Sequence, residues 1–141
     1  MKVDGQKYRT IWLAEDGASV EIIDQTKFPF TFEIARLHTM ADAAHAIRVM
    51  QVRGAPLIGA TAAYGMAIAL RKDASDAAMD EAYRILHATR PTAINLKWAL
   101  DEVIRNIRPV DVESRADAAW TLAAQICDSD VETNHAIGAH G

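Results

Sequence analysis

Apolar positions recur with two different periods along this chain, and the period changes near residue 38. Before that point, Tyr8 to Leu13 and Ser19 to Ile23 are short runs rich in β-branched and aromatic residues, the composition of strands. Between them lies Ala14-Glu15-Asp16-Gly17, whose Asp-Gly pair is a turn signal, so the two runs predict a hairpin. A third strand is predicted over Phe30 to Leu37, where Phe30, Phe32 and Ile34 alternate with Thr31, Glu33 and Ala35. Pro29 precedes that run, where its missing N–H does no harm.

Beyond Leu37 the spacing becomes helical. Thr39 reads as an N-cap with Asp42 in the first turn. The helix it opens is expected to reach about Gln51 with Ala43, Ala44, Ile47 and Met50 on its buried stripe. Val52-Arg53-Gly54-Ala55 interrupts, and Pro56 suits the first position of a second helix that runs to about Arg71. Ser75 caps a third, carrying Met79, Ala82, Tyr83 and Leu86 and ending near Thr89. Arg90-Pro91 breaks the pattern, and a fourth helix is expected from Pro91 or Thr92 to Ile107. After Pro109, Asp111 or Val112 opens a fifth with Ala116, Ala119, Trp120, Ala123 and Ile126 on one face. The predicted class is α+β, mostly α: a small antiparallel sheet over 1–38 and a helical bundle over 39–141, together one domain. Residues 134–141 still read as helix with a glycine stop, so the sequence is expected to be a segment of something longer.

Composition narrows the functions. Half of the 141 residues are hydrophobic, and alanine rather than aromatics carries the excess, which favours closely packed helices. With 15 basic and 19 acidic residues the formal charge is −4, which argues against nucleic acid, whose binders concentrate basic charge on one face. A small anion is not excluded, because it needs only two or three local positive groups. The single cysteine, Cys127, excludes an internal disulfide. It lies beside Ile126 on a predicted helix and reads as a buried small hydrophobe rather than a nucleophile. No secretory h-region or membrane-length apolar run occurs, so a cytoplasmic protein is expected. His38, His45, His87, His135 and His140 are scattered without partners at metal spacing, and no metal is assigned. Trp12, Trp98 and Trp120 read as core or interface residues.

Two stretches carry candidate chemistry. In Arg53-Gly54-Ala55-Pro56-Leu57-Ile58-Gly59-Ala60, an arginine precedes a glycine turn that feeds a helix. Glycine lets a backbone approach a ligand, a helix start offers unpaired N–H groups and a positive dipole end, and arginine adds a planar fork suited to phosphate. Arg90-Pro91-Thr92-Ala93-Ile94-Asn95 is expected to repeat the device, with Thr92 and Asn95 as polar groups in the first turn. The plainer alternative stays open: an arginine at a helix boundary is commonly a solvated loop residue. The small residues from Gly59 to Gly65 likewise serve close helix packing without any ligand.

The string from Val52 to Gly65 closely resembles the Arg-Gly-Ala-Pro signature of the methylthioribose-1-phosphate isomerases, and Arg90 to Ala99 resembles the same family's second signature. Asp4-Gly5, Ile11-Trp12-Leu13 and Ile23-Asp24-Gln25-Thr26 resemble its opening, and Asn134, Ile137-Gly138 and His140-Gly141 its segment at the end of the helical domain. His135 and Ala139 depart from the arginine and glutamate that the family often has there. The resemblance implies interconversion of 5-methylthioribose 1-phosphate and 5-methylthioribulose 1-phosphate in methionine salvage, with no cofactor and a homodimeric complete enzyme. It implies substrate binding by Arg53, Gly54, Ala55 and Arg90. It also implies that the catalytic cysteine and aspartate belong to a Rossmann-like second domain beyond residue 141, and Cys127 does not match the catalytic cysteine's motif. Two relatives of the family remain as alternatives, ribose-1,5-bisphosphate isomerases and the non-catalytic regulatory subunits of translation initiation factor two-B. A stand-alone helical interaction module is a third.

Overall fold

The computed structural model describes residues 2–141. Two small antiparallel sheets precede five helices: β1 (Lys2–Val3) pairs with β2 (Gln6–Lys7), while β3 (Ile11–Leu13), β4 (Val20–Ile23) and β5 (Ile34–Leu37) form a sheet in that order. The first hairpin was not among the predicted elements. Its turn is Asp4-Gly5, both with positive φ (48° and 83°), the twist that a two-residue hairpin turn demands. The predicted hairpin forms as β3–β4, with Ile11 opposite Ile22 and Leu13 opposite Val20. Its loop is closed by Asp16, whose carboxylate accepts from the Ala18 and Ser19 N–H groups and the Ser19 hydroxyl.

The third strand starts later than its alternation predicts. Residues 25–27 form a 3-10 turn capped by Asp24, and the Phe30 and Thr31 N–H groups both donate to the Lys27 carbonyl. A backbone folded into that turn cannot join a ladder, so β5 begins at Ile34 and Phe30 stands 91% exposed.

Helix α1 (Met40–Arg48) is shorter than expected. Met50 adopts φ 63°, a left-handed conformation that ends a helix. Met50 therefore leaves the buried stripe, and Ala46 joins Ala43, Ala44 and Ile47 there. Helix α2 (Ala55–Lys72) is the spine, buried on nearly every face from Leu57 to Leu70 and packed by α1, by α3 (Asp76–His87), by α4 (Ile94–Ile107) and by α5 (Arg115–His140). Its small residues permit this: a Cβ on Gly65 would stand 3.1 Å from both Ala43 Cβ and a Leu86 methyl. Strands and helices share one hydrophobic core that runs from Ile11, Val20, Ile22 and Leu37 to Leu96, Leu100 and Ala123.

The fifth helix opens at Arg115, after a 3-10 turn over Val112–Ser114. Arg115 is buried and donates to the carbonyls of Val110, Ala74 and Arg108 at 2.9, 2.9 and 2.7 Å, with Asp76 2.8 Å away. One guanidinium thus ties the end of α4 to the α2–α3 connection, satisfying carbonyls that a helix end leaves bare. Trp120 packs edge-on against Tyr64 beneath the Arg71 guanidinium, whereas Trp98 is 50% exposed and lies outside the core.

Candidate functional site

Gly54 forms the N-cap of α2 with φ 94°, a conformation that a side chain would strain. The chain therefore turns sharply between Arg53 and the helix, and Ala55 and Pro56 become its first two residues, one position later for the proline than predicted. Residues 53–56 are all exposed. No side chain caps the N–H groups of this first turn.

The second stretch folds differently from its prediction. Helix α4 begins at Ile94, not at Pro91 or Thr92. The Ala93 N–H donates to the Arg90 carbonyl at 3.0 Å, so Arg90-Pro91-Thr92-Ala93 is a turn with proline in the position that its fixed φ favours. Arg90 is half-buried at the head of that turn, Thr92 is exposed, and the α4 start also lacks a side-chain cap. The two starts adjoin: a Cβ on Gly59, early in α2, would lie 2.9 Å from the Asn95 carbonyl oxygen in the first turn of α4.

Most of the chain's arginines are engaged. Arg9 pairs with Asp128, Arg84 with Glu81, Arg105 with Glu102 and Arg108 with Asp80. Arg36 meets Glu21, while Arg71 donates to the Gly17 carbonyl. Among the described residues, Arg48, Arg53 and Arg90 make no such ion pair or side-chain hydrogen bond, and of these only Arg53 and Arg90 stand at the turns that precede α2 and α4.

Two hollows flank the α2 start. The larger, about 880 Å³, lies between the N-terminal strands and the second half of α5; Lys2, Lys7, Arg9, Asn134 and His135 edge it, and Ile11, Leu57, Ala60, Val131 and Cys127 supply apolar wall. The smaller, about 200 Å³, is bounded by Gly59, Asn95, Trp98, Ile126, Ser129 and Thr133. Pro56 and Asp130 border both. None of Arg53, Gly54, Ala55 and Arg90 lines either hollow, although all but Arg90 lead directly into Pro56. The basic rim from the N-terminal strands was missed in the sequence, where Lys2, Lys7 and Arg9 were the available signal.

Burial, followed by the nearby Asp128 carboxylate, pushes the Cys127 thiol up to about 11. A thiol held protonated is a poor nucleophile, in keeping with the reading of Cys127 as a core residue, and it is 8% exposed. Burial likewise raises Tyr64 above its ordinary value. Among the described residues no three His, Cys, Asp or Glu side chains are grouped to hold a metal ion. No helix among the described residues is long and apolar enough to cross a membrane.

The pattern of the initiation factor 2 subunit family matches residues 51–141, which include both arginine turns and the whole bundle from α2 onward. The chain belongs to that family.

Within it, the chain is 60% identical over all 141 residues to a methylthioribose-1-phosphate isomerase of Paramagnetospirillum magneticum and 52% identical to one of Escherichia coli. It spans 39% and 38% of the length of those two proteins. Among solved structures, the 5-methylthioribose 1-phosphate isomerase of Pyrococcus horikoshii superposes with TM-score 0.79 at 33% identity, over 88% of this chain and 37% of that one. The delta subunit of translation initiation factor eIF-2B from A. fulgidus superposes with TM-score 0.81 at 30% identity, over 89% and 38%. The family fold thus serves proteins of two different descriptions, and it does not separate them.

Proposed function

We propose that this chain is the amino-terminal, phosphate-gripping part of a methylthioribose-1-phosphate isomerase. The observation that carries the reading is identity of 52–60% to proteins of that name along the entire chain. The initiation-factor subunit shares the fold equally well at only 30% identity. Fold alone does not imply function, and here the sequence discriminates where the backbone does not.

In this reading Arg53 and Arg90 hold the sugar's phosphate, Gly54 lets the backbone approach it, and the N–H groups at the α2 start, beginning with Ala55, complete the grip. Both guanidinium groups are free to take a ligand because neither is spent on a carboxylate of the chain. The substrate is 5-methylthioribose 1-phosphate and the product its ketose, 5-methylthioribulose 1-phosphate. The chain's own role is binding: its single thiol is buried and protonated. The proton-moving cysteine and aspartate belong to a Rossmann-like second domain, which also excludes water and orients the reacting carbons. The complete enzyme is a cytoplasmic homodimer that needs no cofactor.

The test compares two proteins, one of the relatives' length carrying this chain and the 141-residue chain itself, each incubated with 5-methylthioribose 1-phosphate. Ketose should form only with the longer protein. A longer protein that binds sugar phosphates without turning them over would replace the isomerase reading with the regulatory-subunit one.

A further inference from the structure

The contact between α2 and α4 has an unusual feature at Gly59. A Cβ built there would sit 2.9 Å from the Asn95 backbone oxygen and 3.5 Å from Ala99 Cβ. Carbon atoms do not approach a carbonyl oxygen so closely, and the obstacle is main chain, which cannot rotate aside. Gly65, further along the same helix, is also crowded, but its neighbours are the Ala43 and Leu86 side chains, at 3.1–3.2 Å. The two glycines therefore differ in what they control. Gly65 governs side-chain packing against α1 and α3. Gly59 governs how near the first turn of α4 comes to the beginning of α2.

Those are the two helix starts that the arginine turns precede. Arg53 and Gly54 enter α2 just before Gly59, and the Arg90 turn enters α4 just before Asn95. We infer that Gly59 is a positioning residue that sets the separation of the Arg53 and Arg90 turns, and through it the affinity for the substrate's phosphate. The residue itself need not touch the ligand. Any side chain at 59 forces α4 away from α2 and widens the span that one phosphate must bridge. The inference rests on the reading of both arginines as phosphate ligands.

A widened grip loosens the hold on ground state and transition state alike, so KM rises. Because the phosphate is carried on C1, one of the two carbons that change, kcat falls as well where the misplacement reaches the reacting bonds. The experiment uses the protein of the relatives' length and compares wild type, Gly59→Ala and Gly65→Ala. In Gly59→Ala, KM for 5-methylthioribose 1-phosphate should rise about tenfold and kcat/KM should fall by at least as much, the scale expected of sub-ångström to ångström misplacement. The inhibition constant of inorganic phosphate should rise in parallel. Gly65→Ala should leave both constants unchanged while altering the melting temperature. Alanine is the better helix former, so any melting loss in either variant reports crowding rather than propensity.

A folded Gly59→Ala protein with wild-type KM overturns the inference, as does an equal KM rise in Gly65→Ala, which would make the effect one of general packing. If Gly59→Ala does not fold, Ala99→Ser adds a single atom to the same helix contact, and an unchanged KM in that folded variant overturns it too. A wild type that turns over no substrate refutes the functional reading and this inference with it. An active wild type with an indifferent Gly59→Ala variant refutes the inference alone.

Discussion

Helices α1 and α3 begin differently from α2 and α4. Thr39 and Ser75 close the first pair with their own side chains: Thr39 Oγ1 accepts from the Asp42 N–H while the Asp42 carboxylate accepts from the Thr39 N–H, and Ser75 Oγ accepts from the Ala78 N–H. The second pair has no side-chain cap, and each start is preceded by an arginine without a partner among the described residues. A helix start leaves donors that must be satisfied by something. Where the local sequence supplies the acceptor, the start is finished by the fold. At α2 and α4 no side chain accepts from the first-turn N–H groups, and this is the ground for the proposal that they and the two arginines take the phosphate.

The comparison breaks most sharply at Arg53. In the protein of the relatives' length, Arg53→Ala should lower kcat/KM by on the order of 10- to 100-fold, the worth of one or more charge-assisted hydrogen bonds. The melting temperature should stay unchanged, because the guanidinium spends nothing on the fold. Steady-state kinetics and a thermal melt on the same preparation check both halves. Near-normal activity would return Arg53 to the class of solvated loop residues.

The capped starts should behave in the opposite way. Thr39→Ala or Ser75→Ala should each cost about 1 kcal/mol of stability, a fall of roughly 3–6 °C in melting temperature, with KM unaltered. A KM change in either would mean that the division between finished and open helix starts does not correspond to a division of roles.

The smallest effect concerns acid. Burial pushes the Asp42 carboxyl up, but hydrogen bonds from Thr39 and the His38 N–H outweigh it and hold the group below its ordinary 3.8. A carboxyl depressed in the folded state contributes stability that is present above the unfolded value and fades as pH falls through the folded one. The melting temperature of wild type should therefore exceed that of Asp42→Asn at neutral pH, and the gap should close progressively below about pH 4. A gap that did not narrow as the pH fell would show that the cap does not depend on the ionised carboxylate.

Much of this was legible locally. The Thr39 and Ser75 caps, the β3–β4 hairpin, the long α2 and the burial of Cys127 all follow from neighbours a few residues apart in the chain. The Asp4-Gly5 hairpin carried its own signal too, in a pair whose joint positive φ only a two-residue turn requires. The errors lie where local preference was overruled. Phe30 alternates like a strand residue, yet a turn that consumes its donor holds it in solvent. Met50 has helical spacing, yet the helix has already ended. Arg90-Pro91 resembles a helix start, yet the hydrogen bond from Ala93 to Arg90 makes it a turn and delays α4 to Ile94.

By itself the sequence determined the class of fold, the order of the helices, which starts are capped, and the arginine-glycine turn that leads into α2. These are properties of short segments, governed by propensity, capping and the spacing of apolar residues. Only the tertiary structure decided that α2 is the buried spine, that Arg115 reaches the Ala74 carbonyl and so ties the end of α4 to the α2–α3 connection, and that Gly59 meets the Asn95 carbonyl. Each of these is a contact between residues far apart in sequence. Such contacts depend on how closely whole helices can approach, and no local pattern records that distance.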